Sequence, residues 1–478
     1  MSNDFPLLIP GAASAGTHEV VAPYDLSPIG SVATADATAI NQALETAHAL
    51  YRNRDAWLKP AERIAILERV ASIMADRAEE LATESAREGG KPLVDSRVEA
   101  ARAIDGVKNC IEVIRTQHGT EIPMNLNAAS EGHMAFTSHE PIGVVVSVSA
   151  FNHPLNLIVH QVGPAVAAGC PVIVKPASDT PLSCMRFVQI LHEAGLPPEW
   201  AQACVTADRA AATQLVTDDR VAFFSFIGSG DVGWKLRSQL SPGTRCALEH
   251  GGVAPVIVAE DADLDAAVPA LNKAGLYHAG QVCVSVDRIF AHESVARNLA
   301  ERMAEQAKRF RVGDPVLPET EIGPLIRPAE NDRVAAWVDE AKAAGAEVLC
   351  GGNKISDTCY ECTIIWDPPA DAKVTTCETF GPVICVYPYS DIDEAISRAN
   401  SLDVSFQAAV YTRDIDTMMR AYRRLDASAV MVNQHTAFRV DWMPFAGLKH
   451  SGLGVGGIPH TMQDMQVEKM VVIKSDEL

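Results

Sequence analysis

Short apolar runs without polar alternation constrain this chain more than any other feature. They fall at residues 142–148 (IGVVVSV), 171–176 (PVIVKP), 223–227 (FFSFI) and 255–258 (PVIV). Such runs suit strands covered on both faces, since a half-exposed strand would alternate apolar with polar. Between them the spacing changes to that of helices, from Asn152 to Ala168, at about 181–195, and after residue 233. Upstream, residues 39–54, 61–87 and 91–117 also carry helical spacing, the last including Arg102. Strands alternating with helices imply an α/β fold with a parallel sheet and right-handed crossovers. A second α/β region starts near residue 255 and runs to about 450. No repeat or low-complexity linker separates the two, so they are expected to pack tightly with the site in the crevice between them.

A chain of 478 residues is expected to form more than one domain. Its formal net charge of −21 argues against nucleic acid or an anionic membrane as partner, while leaving a small anionic substrate open. Eleven cysteines without a dense repeat fit reduced thiols and a cytoplasmic location. Cys359 and Cys362 form a lone CxxC without the second ligand pair that zinc requires, so no metal is expected. The first residues lack the basic start and apolar core of a signal peptide. The terminal Ser475-Asp476-Glu477-Leu478 is read as a solvated tail rather than a retention signal. No apolar run reaches the ~18 residues needed to span a bilayer.

Cys283 closes His278-Ala279-Gly280-Gln281-Val282-Cys283, and Glu249 opens Glu249-His250-Gly251-Gly252. A thiol can attack a carbonyl, and a partly desolvated carboxylate can activate water to release the thioester. Asn152 stands at the end of the 142–148 strand, and Lys175 at the end of the next, where an open α/β sheet binds its ligand. Gly228-Ser229-Gly230 follows a strand and opens a helix, so small residues let a phosphate approach the helix N-terminus. Glu378-Thr379-Phe380-Gly381-Pro382 and residues 444–452 (PFAGLKHSG) complete the set.

These motifs, in this order along essentially the whole chain, resemble the aldehyde dehydrogenase superfamily. The resemblance implies a Rossmann-type cofactor domain (1–119 and 141–251), an α/β catalytic domain (252–454) and oligomerisation segments (120–140 and 455–478). In the last, Ala135 to His139 and Met470 to Ile473 have strand propensity. It implies a homodimer or homotetramer, and NAD or NADP as cofactor. Cys283 becomes the nucleophile, Glu249 the base, and Asn152 the oxyanion donor, preceded here by Phe151 where Trp is usual. Lys175 and Ser178 fall at the adenosine ribose, Gly228 and Ser229 at the pyrophosphate, and Glu378 and Phe380 at the nicotinamide. Ser178 stands where NAD-preferring relatives carry Glu, which leaves NADP open.

Phe151, His153 and Arg102 look most like the phosphonoacetaldehyde dehydrogenase branch, with Arg102, His153 and Arg439 expected to hold an anionic group. Val282 departs from that branch, where a cationic residue is expected before the nucleophile. The expected reaction is oxidation of an aldehyde to a carboxylate through a cysteine thioester. Succinate semialdehyde, lactaldehyde and sulfoacetaldehyde remain alternative substrates. CoA-acylating chemistry and a silent binding protein remain rival functions.

Overall fold

The computed structural model describes residues 3–478. Its first sheet has six strands, ordered Gly452–Leu453, Arg245–Glu249, Val221–Ile227, Val144–Val148, Val172–Lys175 and Ala201–Ala203. All pair in parallel except Gly452–Leu453, which runs antiparallel to Arg245–Glu249. Residues 452–453, placed in the 252–454 segment by the sequence reading, therefore join the first sheet. Both faces are covered. Val145, Val172 and Val174 point into a core with the helices Pro60–Asp76, Leu93–Thr116, Asn156–Ala168 and Leu182–Glu193. Val144, Val146 and Ile173 point into an opposite core with the helix Ala37–Arg52. Two buried faces explain why these strands are apolar without alternation.

The strand order reverses at Val144–Val148, since the next strand in sequence lies on one side of it and Val221–Ile227 on the other. That is a topological switch point, where a crevice opens beyond the carboxyl ends of the strands.

The second sheet has seven strands, with Arg288–His292 between Val383–Tyr389 and Val256–Val258, and with Gln407–Tyr411 and Ala429–Val432 beyond. The Glu347–Cys350 strand, antiparallel to Thr363–Trp366, closes one edge. A third sheet pairs Gln466–Lys474 antiparallel with His133–Pro141, which in turn pairs with Glu121–Ile122. Met470, Val471, Val472 and Ile473 on it are exposed, as are Met134 and Phe136. No helix among the described residues is long and apolar enough to cross a membrane.

Three helix boundaries differ from the sequence reading. The helix expected after residue 233 already begins at Gly230. The 61–87 stretch divides at Arg77 into Pro60–Asp76 and Ala78–Gly89. The helix expected from Asn152 begins only at Asn156. Pro154 disfavours helical geometry at His153, and the Glu99 carboxylate accepts the N–H groups of Leu155 (3.0 Å) and Asn156 (2.9 Å). That cap, from a distant part of the chain, fixes the helix start and leaves Asn152 in a loop.

Candidate active site

One cavity of about 740 Å³ occupies the crevice, within the range of about 300–1,000 Å³ usual for ligand pockets. Cys283, Glu249, Asn152, Phe151, His153, Arg102, Arg439, Gly228, Ser229, Glu378 and Phe380 all line it. Lys175 and Ser178 do not, although Ala177 and Asp179 beside them do. Lys175 donates to the Pro176 carbonyl (3.2 Å), and the Ser178 carbonyl meets His18 Nε2 (2.8 Å).

The turn that presents Cys283 is unusual. His278, Ala279 and Gly280 all have positive φ (52°, 53° and 71°). Two consecutive non-glycine residues in the left-handed region cost on the order of 1–3 kcal/mol each, so packing must hold them. Gly280 itself permits no side chain, because a Cβ there would collide with the Gly381 carbonyl. The Gln281 side chain ties the turn down, donating to the carbonyls of His278 and Pro324 (3.1 Å each) and accepting from Ile326 N–H (2.9 Å).

Burial pushes the Cys283 thiol well above the ordinary thiol range; the Glu249 and Glu378 carboxylates add to the shift and Arg439 opposes it. The resting side chain is therefore a thiol, and attack requires a proton acceptor. Glu249, at the carboxyl end of Arg245–Glu249, is held up by burial and drawn down by Arg439. A carboxyl displaced upward lies closer to the range of a working general base.

Asn152 is buried, and its Nδ2 donates to the Gln281 carbonyl (2.8 Å), which leaves one amide N–H uncommitted. The asparagine and the cysteine turn are thus linked across the two sheets. Phe151 meets Phe380 edge to face, with centroids 5.8 Å apart.

On the cofactor side, Ser229 caps the helix Gly230–Arg237 without a side-chain hydrogen bond, so the first-turn N–H groups remain open to an anion. Glu378 accepts from Gly252 N–H (3.2 Å) and packs where a Cβ on Gly251 would collide with it. Thr379 is held from both sides: its N–H donates to Asp287 (3.0 Å) and its carbonyl accepts from Arg333 (2.9 Å). These features fit a dinucleotide lying from the helix start toward Cys283.

The three candidate anion holders differ. Arg102 spends Nε (3.2 Å) and Nη2 (2.6 Å) on Asp441, which leaves only its Nη1 side for a ligand. The sequence expectation leaves Arg102 free to hold an anionic group; in the structure Asp441 occupies its fork. His153 bonds the Tyr277 hydroxyl (3.1 Å), and burial with the charges of Lys91, Arg102 and Arg439 drives its pKa far down. It is a neutral ring, not a cation. Arg439 lies over the Phe445 ring (3.6 Å to the centroid) and approaches His160 Nδ1 (3.4 Å). Its Nε is buried without a partner, and it forms no ion pair among the described residues.

The sequence reading missed Gln281 as a clamp, Asp441 as the partner of Arg102, and Lys91 with Glu99 behind Asn152. Only Lys91 left a sequence signal, a lysine placed between Gly89-Gly90 and Pro92.

The model of the aldehyde dehydrogenase family matches residues 11–471. A 3-sulfolactaldehyde dehydrogenase from Priestia aryabhattai is 35% identical over 456 residues, covering 95% of this chain and 94% of that one. The crystal structure of aldehyde dehydrogenase 21 from Physcomitrella patens, in complex with the reaction product succinate, superposes with a TM-score of 0.94. It shares 33% identity and covers 99% of both chains. A glyceraldehyde-3-phosphate dehydrogenase from Methanocaldococcus jannaschii complexed with NADP gives 0.91 at 32% identity, covering 96% of this chain and 99% of that one. The chain therefore belongs to the aldehyde dehydrogenase family, as an enzyme that oxidises aldehydes with NAD(P).

Proposed function

We propose that the substrate is a small aldehyde carrying an anionic group, and that Arg439 receives that group. The observation that carries this reading is a guanidinium inside the cavity, close enough to influence Cys283 and Glu249, with no carboxylate partner and an unsatisfied Nε. Glu249 and Asp441 act on this charge only from beyond ion-pair distance, so it is incompletely compensated. That is costly for a buried cation, and an anionic substrate reduces that cost. Arg102 offers one further N–H from its Nη1 side. Sulfonate, phosphonate and carboxylate all fit this chemistry. The sulfolactaldehyde relative supports a sulfonate, and the resemblance of Phe151 and His153 supports phosphonoacetaldehyde.

In this reading Cys283 Sγ adds to the aldehyde carbon and its proton passes to Glu249, the carboxylate that weighs most on the thiol. The free N–H of Asn152 and a backbone N–H at the cysteine receive the developing oxyanion. When bound, the nicotinamide supplies the hydride acceptor. Glu378 and Phe380 orient that end, Gly228 and Ser229 hold the phosphates, and Lys175 with Ser178 meets the ribose. Glu249 passes the thiol's proton on to solvent and then takes a proton from water as the water attacks the thioester. The C–S bond breaks, the Cys283 thiolate leaves and is reprotonated by Glu249, and the acid departs. The exposed Gln466–Lys474 and His133–Pro141 strands fit pairing with another copy of the chain, as a homodimer or homotetramer in the cytoplasm.

The test is an aldehyde panel with both NAD⁺ and NADP⁺. It contains 3-sulfolactaldehyde, sulfoacetaldehyde, phosphonoacetaldehyde, succinate semialdehyde and lactaldehyde. The anionic members are expected to show the highest kcat/KM. A preference for the uncharged member would overturn the reading.

A further inference from the structure

A fully buried cation stands behind Asn152. Lys91 lies just after Gly90, the left-handed cap of the helix Ala78–Gly89, and ion-pairs with Glu99 on the helix Leu93–Thr116. Both side chains are 1% exposed. Such a pair is a poor source of stability, because desolvating two charges offsets most of their attraction. Its hydrogen bonds indicate a different use. Glu99 Oε1 accepts the N–H groups of Leu155 and Asn156, while Oε2 accepts the Ser85 hydroxyl (3.0 Å) and the Lys91 ammonium. Lys91 Nζ also reaches the backbone carbonyl of Asn152 (3.4 Å). The loop from Asn152 to Asn156 is therefore pinned at both ends by one ion pair.

The asparagine side chain has little other support. One amide N–H goes to the Gln281 carbonyl, so the direction of the second depends on where the 152–156 backbone is held. We propose that Lys91 and Glu99 are positioning residues for Asn152. They set the aim of its free N–H into the cavity, and the Lys91 charge, drawn to the Asn152 carbonyl, adds positive potential behind the oxyanion. This rests on the reading of Asn152 as the oxyanion donor. The same charge also disfavours protonation of His153 and His278 nearby.

A pair that merely stabilised the core would affect folding without acting through Asn152, and a double-mutant cycle separates the two cases. The full-length enzyme carrying Lys91→Met is compared with wild type, Asn152→Ala and the double variant. The first turnover of reduced cofactor is measured per cofactor-binding site, counted by cofactor titration, so unfolded protein does not count. Lys91→Met is expected to slow that turnover about 10- to 100-fold, up to the scale of a misplaced group and short of the roughly 10²–10³ of losing the donor, with aldehyde KM and cofactor Kd nearly unchanged. In the Asn152→Ala background the same change is expected to cost less than about threefold. Equal losses in both backgrounds, or a normal first turnover in Lys91→Met beside a slow Asn152→Ala, would overturn this proposal alone. A normal first turnover in Asn152→Ala would overturn the oxyanion reading, and this proposal with it. If Lys91→Met yields no folded protein, Glu99→Gln runs the same cycle, since it keeps the Oε1 acceptor and removes the charge.

Discussion

Arg439→Met removes the cavity's guanidinium, which lies over the Phe445 ring, and keeps an apolar stem of similar length. Two effects follow, with different signatures. Loss of a charge-assisted hydrogen bond to a bound anionic group costs about 1.5–3 kcal/mol, or roughly 10- to 150-fold in kcat/KM. That loss applies only to charged aldehydes. The second effect is electrostatic. Arg439 draws down the Glu249 carboxyl and the Cys283 thiol, both of which burial holds up. Without it both rise further, and both must lose a proton to react. The acid limb of the rate profile therefore moves to higher pH, so the deficit is present below the limb and disappears above it. The assay is kcat/KM against pH, followed by absorbance of reduced cofactor, for one anionic aldehyde and one uncharged aldehyde of similar length. With the uncharged substrate, variant and wild type are expected to converge at alkaline pH. With the anionic one, a roughly 10- to 150-fold gap is expected to persist at alkaline pH and to widen below the acid limb. A single gap, equal for both substrates and independent of pH, would refute the argument and leave Arg439 as a packing residue.

Cys283→Ala is expected to abolish oxidation while NAD(P) still binds, checked by cofactor titration alongside turnover. Glu249→Gln is expected to slow the first turnover, because the thiol loses its proton acceptor, and to slow release of the thioester more. A retarded stoichiometric burst of reduced cofactor then precedes still slower turnover; stopped-flow absorbance reads both phases. Ser178 is exposed and carries no charge, so NADP⁺ is expected to be accepted. Ser178→Glu is expected to penalise NADP⁺ far more than NAD⁺, and steady-state KM for each cofactor decides it.

The strands were legible because their signal is local. Val144–Val148, Val172–Lys175 and Val221–Ile227 lie within a few residues of the apolar runs that announce them, since burial on both faces leaves its mark on consecutive residues. Cys283, Glu249 and Asn152 were legible by resemblance, as short motifs in a fixed order. What the sequence could not specify was which distant groups meet. The helix after Asn152 starts late because Glu99 caps it from 56 residues away. Arg102 was read as free to hold an anion, but Asp441, 339 residues further on, occupies its fork. Arg439, expected alongside Arg102 to hold an anionic group, is the one of the two that forms no ion pair among the described residues. Gly280 announces only the last residue of the left-handed turn; that His278 and Ala279 share its geometry is decided by packing around Gln281. Periodicity records whether a residue is buried, because burial acts on each side chain separately. The partner of a buried charge is set by close approach of segments far apart in the chain, and only the tertiary fold decides that.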